Sequence, residues 1–161
     1  MHTLLVTGGA GFIGGNYVLR SLAQDEQLRV VNLDLLTYAG NLDTLHPVMD
    51  DERHVFAHGS IGDARLVSEL IARYQPSAIV NFAAESHVDR SIDGPAAFVE
   101  TNVVGTLNLL QCALDAWKNW PALQQESFRF LHVSTDEVYG SLGPTGKFTE
   151  TTPYAPNSPY S

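Results

Sequence analysis

Four residues near the end of the chain carry side chains that could move protons. Thr135, Asp136 and Glu137 directly follow the run 128–134, and Tyr160 lies next to the final residue. Adjacent carboxyl groups suit general acid and base catalysis, because one can stay ionised while the other holds a proton. The same residues would also form a polar turn that caps a helix. Residue type alone leaves both interpretations open.

A glycine-rich stretch near the start of the chain could hold phosphate groups. Residues 7–14 match G-x-x-G-x-x-G through Gly8, Gly11 and Gly14, and G-x-G-x-x-G when Gly9 is taken as the start. Glycines permit a tight turn and a close approach of backbone N–H groups to a pyrophosphate. The stretch lies between an apolar run and a helical apolar pattern, so a helix N-terminus would add free donors. This context is typical of a dinucleotide site.

Asp34 indicates which dinucleotide the glycines would hold. It lies 20 residues beyond Gly14, at the end of the apolar run 30–33. A carboxylate at this place can accept hydrogen bonds from both ribose hydroxyls of an adenosine, and it would repel a 2′-phosphate. No arginine follows in residues 35–37. The pattern therefore favours NAD over NADP, and the alternative is that Asp34 caps a turn.

A second polar cluster occupies residues 85–91, directly after a strongly apolar run. Ser86 could face a ligand there, whereas His87, Asp89 and Arg90 could instead form a structural ion-pair network. The other histidines show no metal-ligand spacing, so we expect no metal site.

The composition limits the classes of function. The 161 residues are 44% hydrophobic and carry a formal net charge of −9, which predicts one globular domain and disfavours nucleic acid or an anionic membrane as a partner. No long apolar run or basic leader suggests a membrane span or a signal peptide. The single cysteine, Cys112, fits a reducing cytoplasm.

Alternating strands and helices must position these residues. Apolar runs predict five strands, near residues 4–6, 29–33, 55–57, 78–84 and 128–134. Helices are expected after the glycine stretch, after an Asp63 cap, and from Pro95 to Trp117 with Asp93 as its cap. This order predicts an α/β fold, a doubly wound parallel sheet formed by one domain at residues 1–161. Ligands then bind at the carboxyl ends of the strands.

These motifs together resemble a known family. The glycine stretch resembles that of the extended short-chain dehydrogenase/reductases. The segments 34–41, 83–92, 101–106 and 134–140, and the closing run 154–161, resemble the dTDP-glucose 4,6-dehydratases within that superfamily. The resemblance covers the whole chain and implies an NAD-binding Rossmann fold. Its most specific part is Thr135-Asp136-Glu137, because sugar-nucleotide epimerases usually lack that acid pair.

The resemblance implies a dehydration in three stages on a dTDP-sugar substrate. Tyr160, as phenolate, takes the proton of the sugar 4-hydroxyl while a hydride passes to NAD, and Thr135 shares a hydrogen bond with that oxygen. Glu137 then removes the proton on carbon 5, and Asp136 protonates the leaving 6-hydroxyl. The hydride returns to carbon 6, so NAD is regenerated.

The resemblance also assigns binding residues. Ser86 and Thr135 are expected to contact the substrate. The residues expected to contact NAD are Gly8, Gly11, Phe12, Ile13, Gly14, Asp34, Leu35, Leu36, Thr37, Ser60, Ile61, Phe82, Ala83, Ala84, Ser86 and Thr101.

The chain departs from the family pattern at three places. Ser60 stands where the family usually has an aspartate that accepts a hydrogen bond from the adenine amino group, and Leu35 stands where a lysine is common. The lysine of the family's Tyr-x-x-x-Lys pair would fall at position 164, beyond Ser161. We therefore expect the chain to be truncated before the C-terminal substrate domain, and to bind NAD with little or no turnover by itself.

Two further expectations concern assembly and rival functions. In the family, the helix that bears Val99 to Trp117 meets its twin in a homodimer, together with a helix after the tyrosine, so dimerisation is expected to be weakened here. The rival enzymes are a nucleotide-sugar 4-epimerase and another NDP-sugar dehydratase. A rival from a different class is a non-catalytic NAD-binding module.

Overall fold

A five-stranded, all-parallel sheet forms the centre of the molecule. The computed structural model describes residues 2–161, and its strands run in the order β3-β2-β1-β4-β5. Their bounds are β1 His2–Thr7, β2 Leu28–Asp34, β3 His54–His58, β4 Ala78–Asn81 and β5 Arg129–His132. This confirms the predicted doubly wound α/β sheet, and the order is that of the Rossmann fold.

Helices cover both faces of the sheet. The α-helices are α1 Phe12–Gln24, α2 Ala64–Tyr74, α3 Val88–Asp93, α4 Pro95–Phe98, α5 Thr106–Trp117 and α6 Ala122–Ser127. A π-helical segment, Val99–Gly105, joins α4 to α5, and short 3-10 helices occupy Leu42–Val48 and Asp136–Tyr139. Asp63 caps α2 as predicted, accepting a hydrogen bond from the Leu66 N–H at 3.0 Å.

The alternation of side chains along β1 divides the core into two clusters. Leu5 packs with Ile71 of α2 and Leu109 of α5 on one face. Val6 packs with Val18 of α1 and with Leu45 on the other. Successive residues of a strand point to opposite faces, so a central strand buried on both sides reads as an unbroken apolar run.

The order in which successive strands are added to the sheet reverses at β1. It runs outward from β1 through β2 to β3, and then returns to pair β4 with the other edge of β1. Val6 is therefore opposite Asn32 on one side and Val80 on the other. A crevice opens between the two halves at the carboxyl ends of β1 and β4, where ligands bind in such sheets.

Two predicted boundaries were wrong. The strand predicted at residues 78–84 ends at Asn81, because the chain turns away from the sheet once the Phe82 N–H has bonded to the Thr7 carbonyl at 3.0 Å. The predicted cap Asp93 closes α3, and Gly94 separates α3 from α4. The single helix predicted from Pro95 to Trp117 is three segments.

None of the helices within residues 2–161 is both long enough and apolar enough to cross a membrane.

Candidate functional site

A cavity of about 380 Å³ lies at the carboxyl ends of the strands. Each of the five strands contributes residues from its own end or from the turn that follows it. The lining residues are Gly8, Gly11, Phe12, Ile13, Gly14, Leu33, Asp34, Leu35, Thr37, Ala39, Gly40, Gly59, Ser60, Ile61, Phe82, Ala83, Ala84, Glu85, Ser86, Thr101, Val133, Ser134 and Tyr160.

The glycine turn forms the floor of the cavity, and glycine is required there by close approaches. Gly8 has φ +69°, and a Cβ at this residue would lie 2.6 Å from the Ala83 nitrogen after β4. A Cβ on Gly14 would lie 2.2 Å from the Gly8 carbonyl oxygen. A Cβ on Gly9 would overlap Asn32 of β2. Both glycine patterns in the sequence therefore describe real packing constraints.

The start of α1 supplies unpaired donors to this floor. α1 begins at Phe12 with no side-chain cap, and Phe12, Ile13 and Gly14 all line the cavity. The first N–H groups of a helix have no partner inside the helix and lie at its positive dipole end. Because no lysine or arginine is among the lining residues, these N–H groups are what would face a pyrophosphate. The cradle fits a dinucleotide.

Asp34 holds two loops together at the edge of the cavity. Its Oδ2 accepts a hydrogen bond from the Ala10 N–H and its Oδ1 accepts one from the Leu36 N–H, both at 2.8 Å. The Ala10 carbonyl in turn accepts a hydrogen bond from the Asn41 N–H at 2.9 Å. Asp34 thus caps a turn and also lines the cavity. Each carboxylate oxygen keeps a second acceptor position, which ribose hydroxyls could use.

The loop after β4 is fixed from the π-helical segment. The Asn102 side chain accepts a hydrogen bond from the Glu85 N–H and donates one to the Glu85 carbonyl, each at 2.8 Å. Thr101, the preceding residue, lines the cavity. Single π-helical turns are frequent at functional sites.

The four predicted catalytic residues are divided between the cavity and its border. Tyr160 lines the cavity beside Val133 and Ser134. Thr135, Asp136 and Glu137 lie just beyond Ser134 and do not line it. The Thr135 Oγ1 accepts a hydrogen bond from the Glu137 N–H at 3.2 Å, which starts the 3-10 helix Asp136–Tyr139. The structure brings the acid pair next to the site, and the catalytic roles stay predictions.

Among the residues predicted to contact NAD, Leu36 is the exception that does not line the cavity. Its side chain packs against the core, and its backbone, at φ 54°, presents the N–H that Asp34 binds. Ser60 lines the cavity, and its Oγ accepts a hydrogen bond from the Gly62 N–H at 3.0 Å.

Several structural features had only weak signals in the sequence. Ala39 and Gly40 line the cavity, although the sequence marks them only as a turn. Arg90 forms no ion pair in the described part of the chain; its guanidinium lies 4.1 Å from the centre of the Tyr38 ring. The ion-pair interpretation of residues 87–90 is therefore wrong for Arg90. Within residues 2–161, no cluster of three His, Cys, Asp or Glu residues could hold a metal.

Comparison with known proteins gives a consistent pattern. A family profile described as GDP-mannose 4,6 dehydratase matches residues 5–161. The chain is 65% identical to a dTDP-glucose 4,6-dehydratase of Xanthomonas campestris pv. campestris, over all of this chain and 45% of that relative. The chain thus spans about half the length of the curated relatives it matches.

Similar solved structures include a dehydratase and an epimerase. A dTDP-glucose 4,6-dehydratase of Streptomyces venezuelae, with NAD bound, is 52% identical with a TM-score of 0.86, over 98% of this chain and 47% of that one. A UDP-glucose 4-epimerase of Thermus thermophilus, in complex with NAD, is 29% identical with a TM-score of 0.81, over 98% and 46%.

Proposed function

Since the chain belongs to the family described as GDP-mannose 4,6 dehydratase, we propose that its protein is an NAD-dependent dTDP-glucose 4,6-dehydratase. The reaction would oxidise carbon 4, eliminate water across carbons 5 and 6, and return the hydride to carbon 6. The 161-residue chain would supply the NAD-binding part and the proton-transfer residues. Its identity of 65% to a dTDP-glucose dehydratase, against 29% to an epimerase, favours dehydration over epimerisation.

The single observation that carries this proposal is the cavity floor. Gly8 and Gly14 allow close backbone approaches at which a Cβ would clash, the start of α1 offers unpaired N–H groups, and Asp34 stands at the edge. These features fit the pyrophosphate and the adenosine ribose of NAD. When bound, NAD would supply the acceptor and later the donor of the hydride.

Side chains of this chain would carry out the proton transfers. Tyr160 lines the cavity, so its hydroxyl is available to take the proton of a sugar hydroxyl. Ser86 lines the same cavity and could hold a sugar hydroxyl by a hydrogen bond. Thr135, at the border of the cavity, could also hold a sugar hydroxyl by a hydrogen bond. Glu137 and Asp136, in the adjoining 3-10 helix, would act as base and acid in the elimination.

A chimera tests the function directly. In it, this chain replaces the matching N-terminal segment of the Xanthomonas campestris relative, and dTDP-glucose is supplied. We expect a product lighter by one water, detected by mass spectrometry. A Glu137→Gln chimera should oxidise carbon 4, seen as reduced-nicotinamide absorbance, and release at least about 100-fold less dehydrated product.

The alternatives predict different outcomes. An epimerase would convert the sugar without loss of water. A non-catalytic NAD-binding module would bind NAD and produce no absorbance change with any sugar. Any of these results in the unsubstituted chimera would refute the proposal.

We also propose a homodimer and a cytoplasmic location. Val99, Val103 and Leu107 are exposed on one face of the π-helical segment and α5, which is an unusual concentration of apolar surface. Cys112 is a free buried thiol, as expected in a reducing compartment. The extent to which the 161-residue chain dimerises and turns over substrate by itself can be measured by sedimentation and by the same sugar assay.

A further inference from the structure

We infer that Ser91 is a positioning residue for Tyr160. Ser91 lies in α3, and its side chain is completely buried. The Tyr160 N–H donates a hydrogen bond to the Ser91 Oγ at 3.3 Å, across 69 residues of sequence. The catalytic consequence of this contact rests on the proposed function, whereas the contact itself does not.

The direction of each hydrogen bond follows from the groups involved. The Ser91 hydroxyl donates its one proton to the Val88 carbonyl at 2.6 Å. Its oxygen can therefore only accept from other groups, and the backbone N–H of Tyr160 can only donate. The two roles are complementary, and an alanine at position 91 would remove both bonds together.

A second contact fixes the ring of the same tyrosine. Phe98 is buried in α4, and its ring meets the Tyr160 ring edge to face, with centroids 6.3 Å apart and an interplanar angle of 73°. Ser91 thus holds the backbone of Tyr160, and Phe98 holds its ring. Together they set the phenol against the wall of the cavity.

Two other hydrogen bonds connect the closing segment, residues 154–161, to a different part of the chain. The Ala155 N–H donates to the Val138 carbonyl at 3.0 Å, and the Asn157 Nδ2 donates to the Ser141 Oγ at 2.9 Å. Both join the segment to the chain that follows the acid pair. The bond to Ser91 joins it instead to α3, which follows β4 and the cavity residue Ser86. Ser91 therefore sets the separation between the tyrosine and the β4 side of the site.

Amide hydrogen exchange in the 161-residue chain tests the contact without cofactor or substrate. The Tyr160 amide should exchange at least about tenfold faster in Ser91→Ala, with the rest of the sheet unaffected, because one local bond is lost. Ser91→Thr, which keeps the hydroxyl, should restore protection. If the added methyl unfolds that variant, Ser91→Cys, with a weak sulfur acceptor, should restore it in part. Unchanged exchange at Tyr160 in Ser91→Ala would overturn the inference.

Kinetics of the chimera test the catalytic consequence. Ser91→Ala should lower kcat roughly 10- to 100-fold with KM within about twofold, because a misplaced reacting group affects the chemical step. Ser91→Thr should recover most of kcat. The control is Ile71→Val, a buried substitution in α2 that lowers stability away from the cavity. Equal effects of Ser91→Ala and Ile71→Val on kcat would also overturn the inference.

The two assays separate two kinds of failure. An inactive unsubstituted chimera would refute the proposed function, and the exchange result would still decide whether Ser91 holds Tyr160. An active chimera with no effect of Ser91→Ala on kcat would refute the positioning role alone.

Discussion

Asp34 connects two loops at the edge of the cavity and is also the residue predicted to bind a ribose. Its two oxygens accept N–H groups from Ala10 and Leu36, and the same carboxylate faces the place where a ribose would lie. Asparagine offers one acceptor oxygen instead of two. Asp34→Asn would therefore weaken an observed loop contact and the predicted ribose contact together, so the shape of the glycine turn and the choice of cofactor depend on the same side chain.

We expect Asp34→Asn to raise the Kd for NAD about 10- to 100-fold, the range for lost hydrogen bonds to a charged group. Discrimination against NADP should fall as well. Titration calorimetry with both cofactors measures this. Asp25→Asn is the matched control, because Asp25 accepts the Gln27 N–H at 2.8 Å in a similar turn away from the cavity. Equal NAD affinities in the two variants would contradict the assignment of Asp34.

Ser60 gives a prediction of the opposite sign. Its Oγ already accepts the Gly62 N–H, and an aspartate there could keep that bond with one oxygen and offer the other to an adenine amino group. We expect Ser60→Asp to lower the Kd for NAD about fivefold, the effect of one added hydrogen bond. Ser68→Asp adds the same charge on the exposed face of α2 and serves as the control. Weaker binding in Ser60→Asp would contradict the prediction.

At the scale of elements, the break between α4 and α5 matters most for the site. The π-helical segment Val99–Gly105 brings Asn102 against both backbone groups of Glu85. The Asn102 side chain thereby pairs with the backbone of the loop after β4, as a neighbouring strand would. The Asn108 Nδ2, at the start of α5, donates to the Ile61 carbonyl at 2.6 Å. The same helical run thus supports two loops that line the cavity.

Asn102→Asp should weaken this support. The carboxylate can still accept the Glu85 N–H, but it cannot donate to the Glu85 carbonyl and repels it. We expect the Kd for NAD to rise about tenfold and the urea midpoint to fall, since the half-buried Glu85 carbonyl loses its partner. Asn119→Asp is the control, because Asn119 is an exposed residue whose side chain donates to the nearby Asp115 carbonyl. Equal changes in both variants would argue against a role for the clamp.

The elements differ in how well the sequence predicts them. The five strands and their parallel arrangement were predicted, because strands buried on both faces read as short apolar runs separated by helical patterns. The π-helical segment was not predicted, since its apolar residues also fit a regular helical spacing and its contact with Glu85 joins residues distant in the sequence. Likewise, Ser91 looks like one more polar residue after β4 until the fold brings Tyr160 to it.

At the scale of the whole molecule, the π-helical segment and α5 carry a face of exposed apolar side chains. Leu107 is 63% exposed and lies at the α5 end of the face formed by Val99, Val103 and Leu107. In a dimeric chimera, Leu107→Glu should shift sedimentation toward the monomer, because it places a charge in an apolar contact. Leu123→Glu is the control on α6, where Leu123 is also exposed. A dimer that survives Leu107→Glu unchanged would exclude this face as the contact.

The buried His54 makes the stability of the fold depend on pH. Burial lowers the pKa of the His54 side chain below its usual 6.5, although a hydrogen bond to the Val48 backbone and the charge of Asp51 oppose the shift. Well above pH 6.5 the ring is neutral in the folded and unfolded chains alike. As the pH falls below that value the unfolded chain binds the proton more readily, so stability is lost until the folded-state pKa is passed.

Urea unfolding at about pH 7.5 and about pH 5.5 measures this effect. We expect a lower midpoint at the acidic pH, and a smaller difference in His54→Gln, which cannot titrate. The same difference in both proteins would assign the pH dependence to other groups.

The central position of β1 has a consequence for synthesis on the ribosome. β1 is made first, yet its second neighbour, β4, ends at Asn81, and Gly8 packs against the backbone of Phe82 and Ala83. A nascent chain can therefore pair β1, β2 and β3 early, but it cannot finish the glycine cradle until about half of the 161 residues have emerged. Tyr160 reaches the wall later still. The floor of the cavity would therefore be complete, and able to bind NAD, only on long nascent chains. Added NAD should protect these long nascent chains from protease, and not shorter ones.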